Sequence, residues 1–488
     1  MPASLSRRRI ARLSLAAGIA LAAVPALAGD EPATPEGAQQ LKSFFARLLP
    51  AAAAGAPSFL AVTPEGADYL ITFDLSAING LVKATGTSYD PATIIYKLVQ
   101  QDDGKWRVKL ESLPKISFRT RESSGEIEID NYEQSALIDP AIAFFLNGSV
   151  SAAKGLLRLS TPKLDQTVDF GAVSANAATT VNDGGAVSTI AKEEIADIGI
   201  SAKGFDEKNG PVNVTGRTET ALISLGIEGF KSRKAFDLWS LVAAHPERAD
   251  LAEHEEELKG LLKEISAPGL KVVEGIEMRK TVVTSAIGAV ALGDIQYELG
   301  AASLGPQSSF NVRVAADGLS LPVGLAPPGA ADLIPSKIDV AATLKGIDIT
   351  AAANEAIAVM SLKGDRPPIS NEDSAKVSAA FLGAGPLRIE IAPSHIVAPA
   401  IDTDFAGQVG YALGKISGAL TIHMRGFEKA MVAIKGLGPD VQEKALPALA
   451  MAKGLAKTEG DGSLTWVVEL GQDRSIKVNG IPLGKAPD

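Results

Sequence analysis

Four histidines and no cysteine are spread over 488 residues, so metal binding and acid–base catalysis have few groups to draw on. His254 precedes three glutamates in HEEEL, which is not the HExxH that sets two ligands on one helix face. No second ligand stands three to five residues away, and His254 falls near the apolar stripe of its helix, the setting of a half-buried structural histidine. His245 falls at a helix break, His395 follows Pro393 and Ser394 in a loop, and His423 takes the wet side of a strand. Nucleophiles fare no better. Ser151 to Lys154 spells SxxK without an SDN or KTG element, and GxSxG, Walker and dinucleotide-binding loops are absent. Glu126, Glu128 and Asp130 share one side of a strand, where cations on neighbouring strands would pair with them. No catalytic, metal-binding or cofactor-binding residue is assigned, and no cofactor is expected.

What remains is apolar surface at a period of two. YLITFDL, KWRVKL and EIEID each place apolar residues at alternate positions. The pattern returns in ISLGIEG (Ile223, Leu225, Ile227), FNVRVAADG (Val312, Val314), PLRIEIAP (Leu387, Ile389, Ile391) and GALTIHMRG (Leu420, Ile422, Met424). Strands of this kind have one wet and one dry face. The Ile223, Leu387 and Leu420 sets are the candidate apolar binding face, able to lie against a lipid or a hydrophobic polypeptide if a closed core does not consume them. Asp102-Asp103-Gly104, Asp317-Gly318 and Asp461-Gly462 supply turns between strands. At the end of the chain, SLTWVVEL, GQDR and SIKV read as a hairpin with Trp466 anchored in the core.

These strands need helices to cover them. Residues 36–49 set Leu41, Phe44, Phe45, Leu48 and Leu49 on one stripe. Residues 231–266 predict a helical pair, its second member starting at Pro246 and running through His254 to Ile265. The segment 441–457 predicts a helix kinked or split at Pro447. Residues 321–336 and 364–373 are proline-rich connections. The expected fold class is α+β: large curved antiparallel β-sheets in two related halves, with a few amphipathic helices covering them. A strand, a Gly-Phe corner and a helix occur twice, at Gly229-Phe230 and Gly426-Phe427, which suggests duplication, with recurrence of a common motif as the alternative. The expected divisions are an export leader at 1–28, a segment with an amphipathic helix at 29–57, a first sheet-rich half at 58–266, and a second at 267–488.

Arg7, Arg8, Arg9 and Arg12 precede an apolar run ending in Ala26-Leu27-Ala28, the layout of an export signal cleaved after Ala28. SRRRIAR approximates a twin-arginine signal, with an ordinary secretory signal as the alternative. The net charge of −10 becomes more negative when those arginines leave, which disfavours nucleic acid as a partner. No later run reaches the ~20 apolar residues of a membrane span. A periplasmic location follows as the expectation.

The run DGLSLPVGL with LIPSKIDVAATLKGIDI (317–349), GALTIHMRGFEKAMVAIKGLG (418–438) and the closing KVNGIPLG resemble the YdgA-like proteins, an uncharacterised family of the proteobacterial periplasm. The likeness covers chiefly residues 270–484, and residues 351–386 do not match its pattern. It implies an envelope location and a large curved sheet, and transfers no active-site residue. The expected function is non-enzymatic binding or scaffolding in the cell envelope. The alternative is a carboxylate-dependent hydrolase of envelope glycan or peptide.

Overall fold

The computed structural model describes residues 32–485 apart from 50–52, 54–57, 83–85, 207–209, 303–304, 306–307, 323, 327–328, 383–384 and 413–414. The expected leader and its cleavage point after Ala28 lie outside the described residues.

The chain builds one continuous antiparallel sheet in which long strands adjacent in space are adjacent in sequence. It opens with β1 (Leu60–Glu65) and β2 (Asp68–Asp74). Ten shorter segments follow as five long strands, each interrupted once: β3 (Ser88–Tyr89) with β4 (Thr93–Gln100), β5 (Trp106–Leu110) with β6 (Ile116–Arg119), and β7 (Ser124–Asp130) with β8 (Glu133–Asp139) are the first three. The other two are β9 (Phe144–Ala152) with β10 (Lys154–Ser160) and β11 (Leu164–Phe170) with β12 (Val173–Val181). Both halves of each pair to the halves of the next, and β11 and β12 share one edge of β13 (Val187–Asp206). From there the meander continues through β14 (Gly210–Phe230), β15 (Lys271–Ser285), β16 (Gly288–Ala302), β17 (Ser308–Asp317) and β18 (Lys337–Ile347). It then passes through β19 (Leu387–Ala398), β20 (Ile401–Ala412) and β21 (Lys415–Arg425). A short β22 (Lys457–Thr458) precedes β23 (Leu464–Leu470), β24 (Ser475–Val478) and β25 (Ile481–Lys485). The sheet does not break near residue 267, because β14 and β15 pair along their length.

The interruptions fall on one transverse line. Asn131 (φ 52°), Asp197 (φ 50°) and Lys280 (φ 50°) have left-handed backbone, and Gly171 and Gly293 occupy the same line on their strands. Asn and Asp tolerate this conformation because their side chains bond locally. Lys280 is held by a 2.6 Å ion pair to Glu219, its cross-strand neighbour. At this crease the apolar set of β13 passes from odd positions, Ala191 and Ile195, to even ones, Ile198 and Ile200. The irregular residue absorbs one step of the alternation that would otherwise invert every side chain beyond it.

The longer helices enter at the start of the chain and at three connections. After α1 (Pro35–Ala46), α2 (Ser232–Ala244), α3 (Arg248–Glu253) and α4 (Glu255–Ile265) come between β14 and β15. Between β18 and β19 come α5 (Ile349–Val359) and α6 (Asn371–Phe381), and between β21 and β22 come α7 (Phe427–Lys435) and α8 (Pro439–Leu455). Each of the three connections is cornered by a left-handed glycine: Gly229, Gly346 and Gly426, with φ of 72°, 82° and 83°. A β-carbon at Gly426 would lie 2.2 Å from the Ala400 carbonyl oxygen, and at Gly346 2.2 Å from that of Pro386, so backbones approach where no other residue fits. The strand-to-helix corner read twice in the sequence thus occurs three times.

Several details differ from the sequence reading. The helix expected from Pro246 begins at Arg248 and divides at His254 (φ −105°, ψ 18°), where the Glu255 side chain turns to accept from the Leu362 amide at 2.7 Å. His395 lies within β19, because the register shift that accommodates Pro393 is complete by Ser394 and the ladder resumes there. His423 is half-buried, its Nδ1 3.1 Å from Thr465 Oγ1. Helix α8 runs unbroken through Pro447; the acceptor freed by the missing amide belongs to exposed Glu443, where water can satisfy it. Part of the 364–373 connection is helix, capped by Ser370, whose hydroxyl accepts from the Asp373 amide.

Candidate functional site

Cross-strand partners in a sheet share a face, so the registers trace rows of side chains across the molecule. One row begins at Pro64 and passes through Tyr69, Leu98, Val108, Ala136, Gly148, Ala177 and Ala191 to Leu225 on β14. It continues through Glu274, Leu299, Val312, Ala342, Ile391, Gly407, Leu420 and Val468 to Val478 on β24. Rows on either side repeat the composition, including Ile227, Phe310, Leu344, Ile389 and Val409 in one and Ile223, Ile276, Tyr297, Val314 and Val340 in another. One face of the sheet is therefore predominantly apolar from end to end, with Glu274 standing in the first of these rows and Glu193 in the last.

Helices cover that face at both ends. At the first, Leu41, Phe44 and Phe45 of α1 pack on Tyr69, Ile71, Leu98, Trp106 and Val108. Helix α1 is itself pinned: Trp239 Nε1 of α2 donates to the Leu48 carbonyl at 2.9 Å, and Phe236 stacks on Phe44 with centroids 5.5 Å apart. At the other end, Phe427 of α7 and Leu449 and Leu455 of α8 pack on Ile422, Met424, Leu464 and Trp466, and Trp466 Nε1 donates to the Ala452 carbonyl at 2.7 Å. Between the two covers the face opens. Leu299 and Val312 keep 41 % and 38 % of their surface exposed, whereas Leu98 and Val108, in the same row, keep 3 % each. Tyr297, Phe310, Val314, Ile389, Val409, Tyr411 and Ile416 are exposed on the same side. Full burial of such a side chain is worth ~1.5–3 kcal/mol, so each leaves roughly 1 kcal/mol unrealised.

The opposite face carries most of the paired charges, with Ile190 and Val273 exposed among them. Arg313 holds Asp339 with two bonds of 2.9 and 2.8 Å, Lys345 meets Glu390, and Arg279 meets Glu277 at 2.6 Å. The guanidinium of Arg313 keeps the Asp339 carboxyl below its ordinary range. Asp402 is likewise held low, first by His395 Nε2 at 2.6 Å and then by Arg425. Glu126 pairs with Lys115 and Arg158, and Asp130 with Lys154, so two of the three acidic residues read on this strand meet cations, while Glu128 stands opposite Leu156. A depression of about 390 Å³ lies on this polar side, where Ser224 and Gly275 leave room between Lys192, Glu277, Glu298 and Arg313. Its lining also reaches Glu193, Ile223, Ile276 and Tyr297, and two of its charged side chains are paired, Glu277 with Arg279 and Arg313 with Asp339. Among the described residues no group of three or more acidic or histidine side chains is placed to hold a metal ion, and no helix is long and apolar enough to cross a membrane.

All nine residues of the candidate face lie on the apolar side. Leu225, Ile391 and Leu420 share one row, Ile227 and Ile389 the next, and Leu387 stands beside Tyr411 and Ile416. Ile422 and Met424 continue the side of Leu420 but pack beneath α7 and α8, while Arg425, on the other side of the strand, is exposed. That strand is thus open at its Leu420 end and covered where it meets the helices. The sequence reading did not include Tyr297, Leu299 and Phe310, nor Val409 and Tyr411, in the face. The alternation in IQYEL was the available signal for the first two. Glu193, on the apolar side between Ala175 and Ile223, was also missed, since KEEI gives no indication of which glutamate faces inward.

A broad meander with helical covers at the two ends of its apolar face, and with an apolar strip left uncovered between them, defines a protein of the α+β class built on a single open β-sheet. The family described as an uncharacterized protein conserved in bacteria, DUF2125, matches residues 236–487, more than half of the chain, and the protein belongs to that family. No curated protein and no solved structure matches it. The matched segment starts in α2, although the sheet it completes begins at β1.

Proposed function

We propose that this protein is exported to the bacterial periplasm and holds the alkyl chain of a lipid against the open part of its apolar face. The observation that supports the reading is the contrast within one row: apolar side chains are buried under α1 and half-exposed from Leu299 on β16 to Ile391 on β19. An apolar strip of this extent marks a site of association in a soluble protein. The leader layout of residues 7–28 and the resemblance to YdgA-like proteins of the proteobacterial periplasm favour the same setting.

A hydrophobic polypeptide would meet the same side chains. Adding a strand is a poorer route, because the end strands β1 and β25 contain Pro64 and Pro482, which cannot donate to a new ladder. The hydrolase reading needs two carboxylates facing a cleft; Asp402 and Asp404 instead flank Arg425 and His395 on the polar face. Native mass spectrometry of gently extracted protein tests the proposal. Bound species with the mass of acyl lipids are expected, and protein free of them that also fails to take up added lipid would refute it.

A further inference from the structure

We infer that the amphiphile held on the open face carries a cationic amine and that Glu193 receives it; this rests on the reading of the face as an alkyl-chain site. Register places Glu193 between Ala175 on β12 and Ile223 on β14, with Ala191 and Ile195 beside it along β13. Its neighbours on the face are alkyl groups. The carboxylate is half-buried, and burial alone pushes its pKa above the ordinary glutamate value, with no hydrogen bond or cation among the described residues to offset it. Such a group is unfavourable in the unoccupied protein, and a ligand that brings the missing counter-charge removes the penalty.

The charge pattern of the face sets the sign of that ligand. From β12 to β20, the described strand residues on the apolar side include two glutamates, Glu193 and Glu274, and no lysine or arginine. An anionic head group would meet only like charge there. Glu193 also stands at the place where a head group would have polar company: Tyr132, whose pKa is raised first by burial and then by the charge of Glu193, donates its hydroxyl to Gln134 Oε1 at 3.2 Å. From Glu193 the row runs through Ile223, Ile276 and Tyr297 to Val314, four strand spacings or about 19 Å, the span of a long alkyl chain.

Isothermal titration calorimetry of the full processed chain, stripped of lipid, with dodecylammonium and with dodecanoate below their micelle-forming concentrations tests this. The native protein should bind dodecylammonium roughly tenfold more tightly than dodecanoate, the scale of a hydrogen bond to a charged group. Glu193→Gln should abolish that preference while still binding dodecanoate, and Glu274→Gln, an exposed glutamate two strands away, should retain it. Equal affinities in the native protein, or a preference that survives Glu193→Gln, would overturn the assignment of the amine and leave the alkyl-chain site standing. If neither amphiphile binds, the alkyl-chain site falls, and this assignment with it.

Discussion

Leu98 and Val108 under α1, and Leu299 and Val312 in the open middle, stand in one row of one sheet, yet the first pair is almost wholly buried and the second is not. Strand propensity and alternation are the same in both. The difference lies in the cover: α1 supplies Leu41, Phe44 and Phe45 to one region, and among the described residues no helix does the same for the other. Sheets usually bury apolar faces against another sheet or a layer of helices. Here the helices are spent at the two ends, and among α2, α4 and α5 they also pack on one another through Leu241, Leu258, Met360 and the neighbouring Leu362. Burial in this molecule is thus assigned region by region through insertions between strands, and the same sheet chemistry serves as core in one place and as surface in another.

The contrast can be broken first at its covered ends. Leu41→Ala should cost about 3 kcal/mol in urea unfolding, the range for a fully buried leucine, while Val312→Ala should change stability by less than about 1 kcal/mol; equal losses would erase the distinction. Gly426→Ala, at the corner that sends the chain into the C-terminal cover, should cost about 2 kcal/mol, because the new methyl meets the Ala400 carbonyl and the backbone is left-handed. In the open region, Val312→Lys should leave the circular dichroism spectrum intact and weaken binding of dodecylammonium roughly tenfold, about the loss from placing one like charge on an alkyl contact.

Proton linkage separates two carboxylates by sign. Glu255, held low first by Lys259 and then by the Leu362 amide, stabilises the fold above its ordinary value of 4.5, and that contribution is lost as pH falls through the lower folded value. The deficit of Glu255→Gln should therefore close in acid. Glu193, raised by burial, does the reverse: its penalty is absent below 4.5 and develops as pH rises through the folded value. Glu193→Gln should gain stability at neutral pH and show no gain in acid. Matched unfolding curves at pH 3 and 7 would check both, and parallel behaviour of the two variants would contradict their assigned settings.

Alternation made the sheet legible. Ile223, Leu387, Leu420 and their partners at i+2 and i+4 could be placed on one side from the chain alone, as could the Trp466 hairpin, because a period of two has a single physical reading. Position within the sheet was not legible, since whether Ile389 is covered depends on helices far away in sequence. The helical pair in residues 349–381 was missed for a local reason. Its first member, ITAAANEAIAV, is apolar nearly all round, and its second, NEDSAKVSAAF, buries no residue, so neither shows a stripe. The crease was hidden because its residues, Asn131, Asp197 and Lys280, differ in type and are related only through register.

A meander whose long strands pair in the order they are made has its nucleation and growth written along the polypeptide. Loop closure between partners stays short except where helices intervene, so each hairpin can add to a template already made by the residues synthesised before it. The α1 cover, first to emerge, can dock as soon as β1, β2, β4 and β5 exist, whereas the uncovered strip grows later and ends when α7 and α8 close it. Shortening the protein from its C-terminus should accordingly peel ladders away one at a time, much as in repeat arrays, and leave the earlier strands assembled.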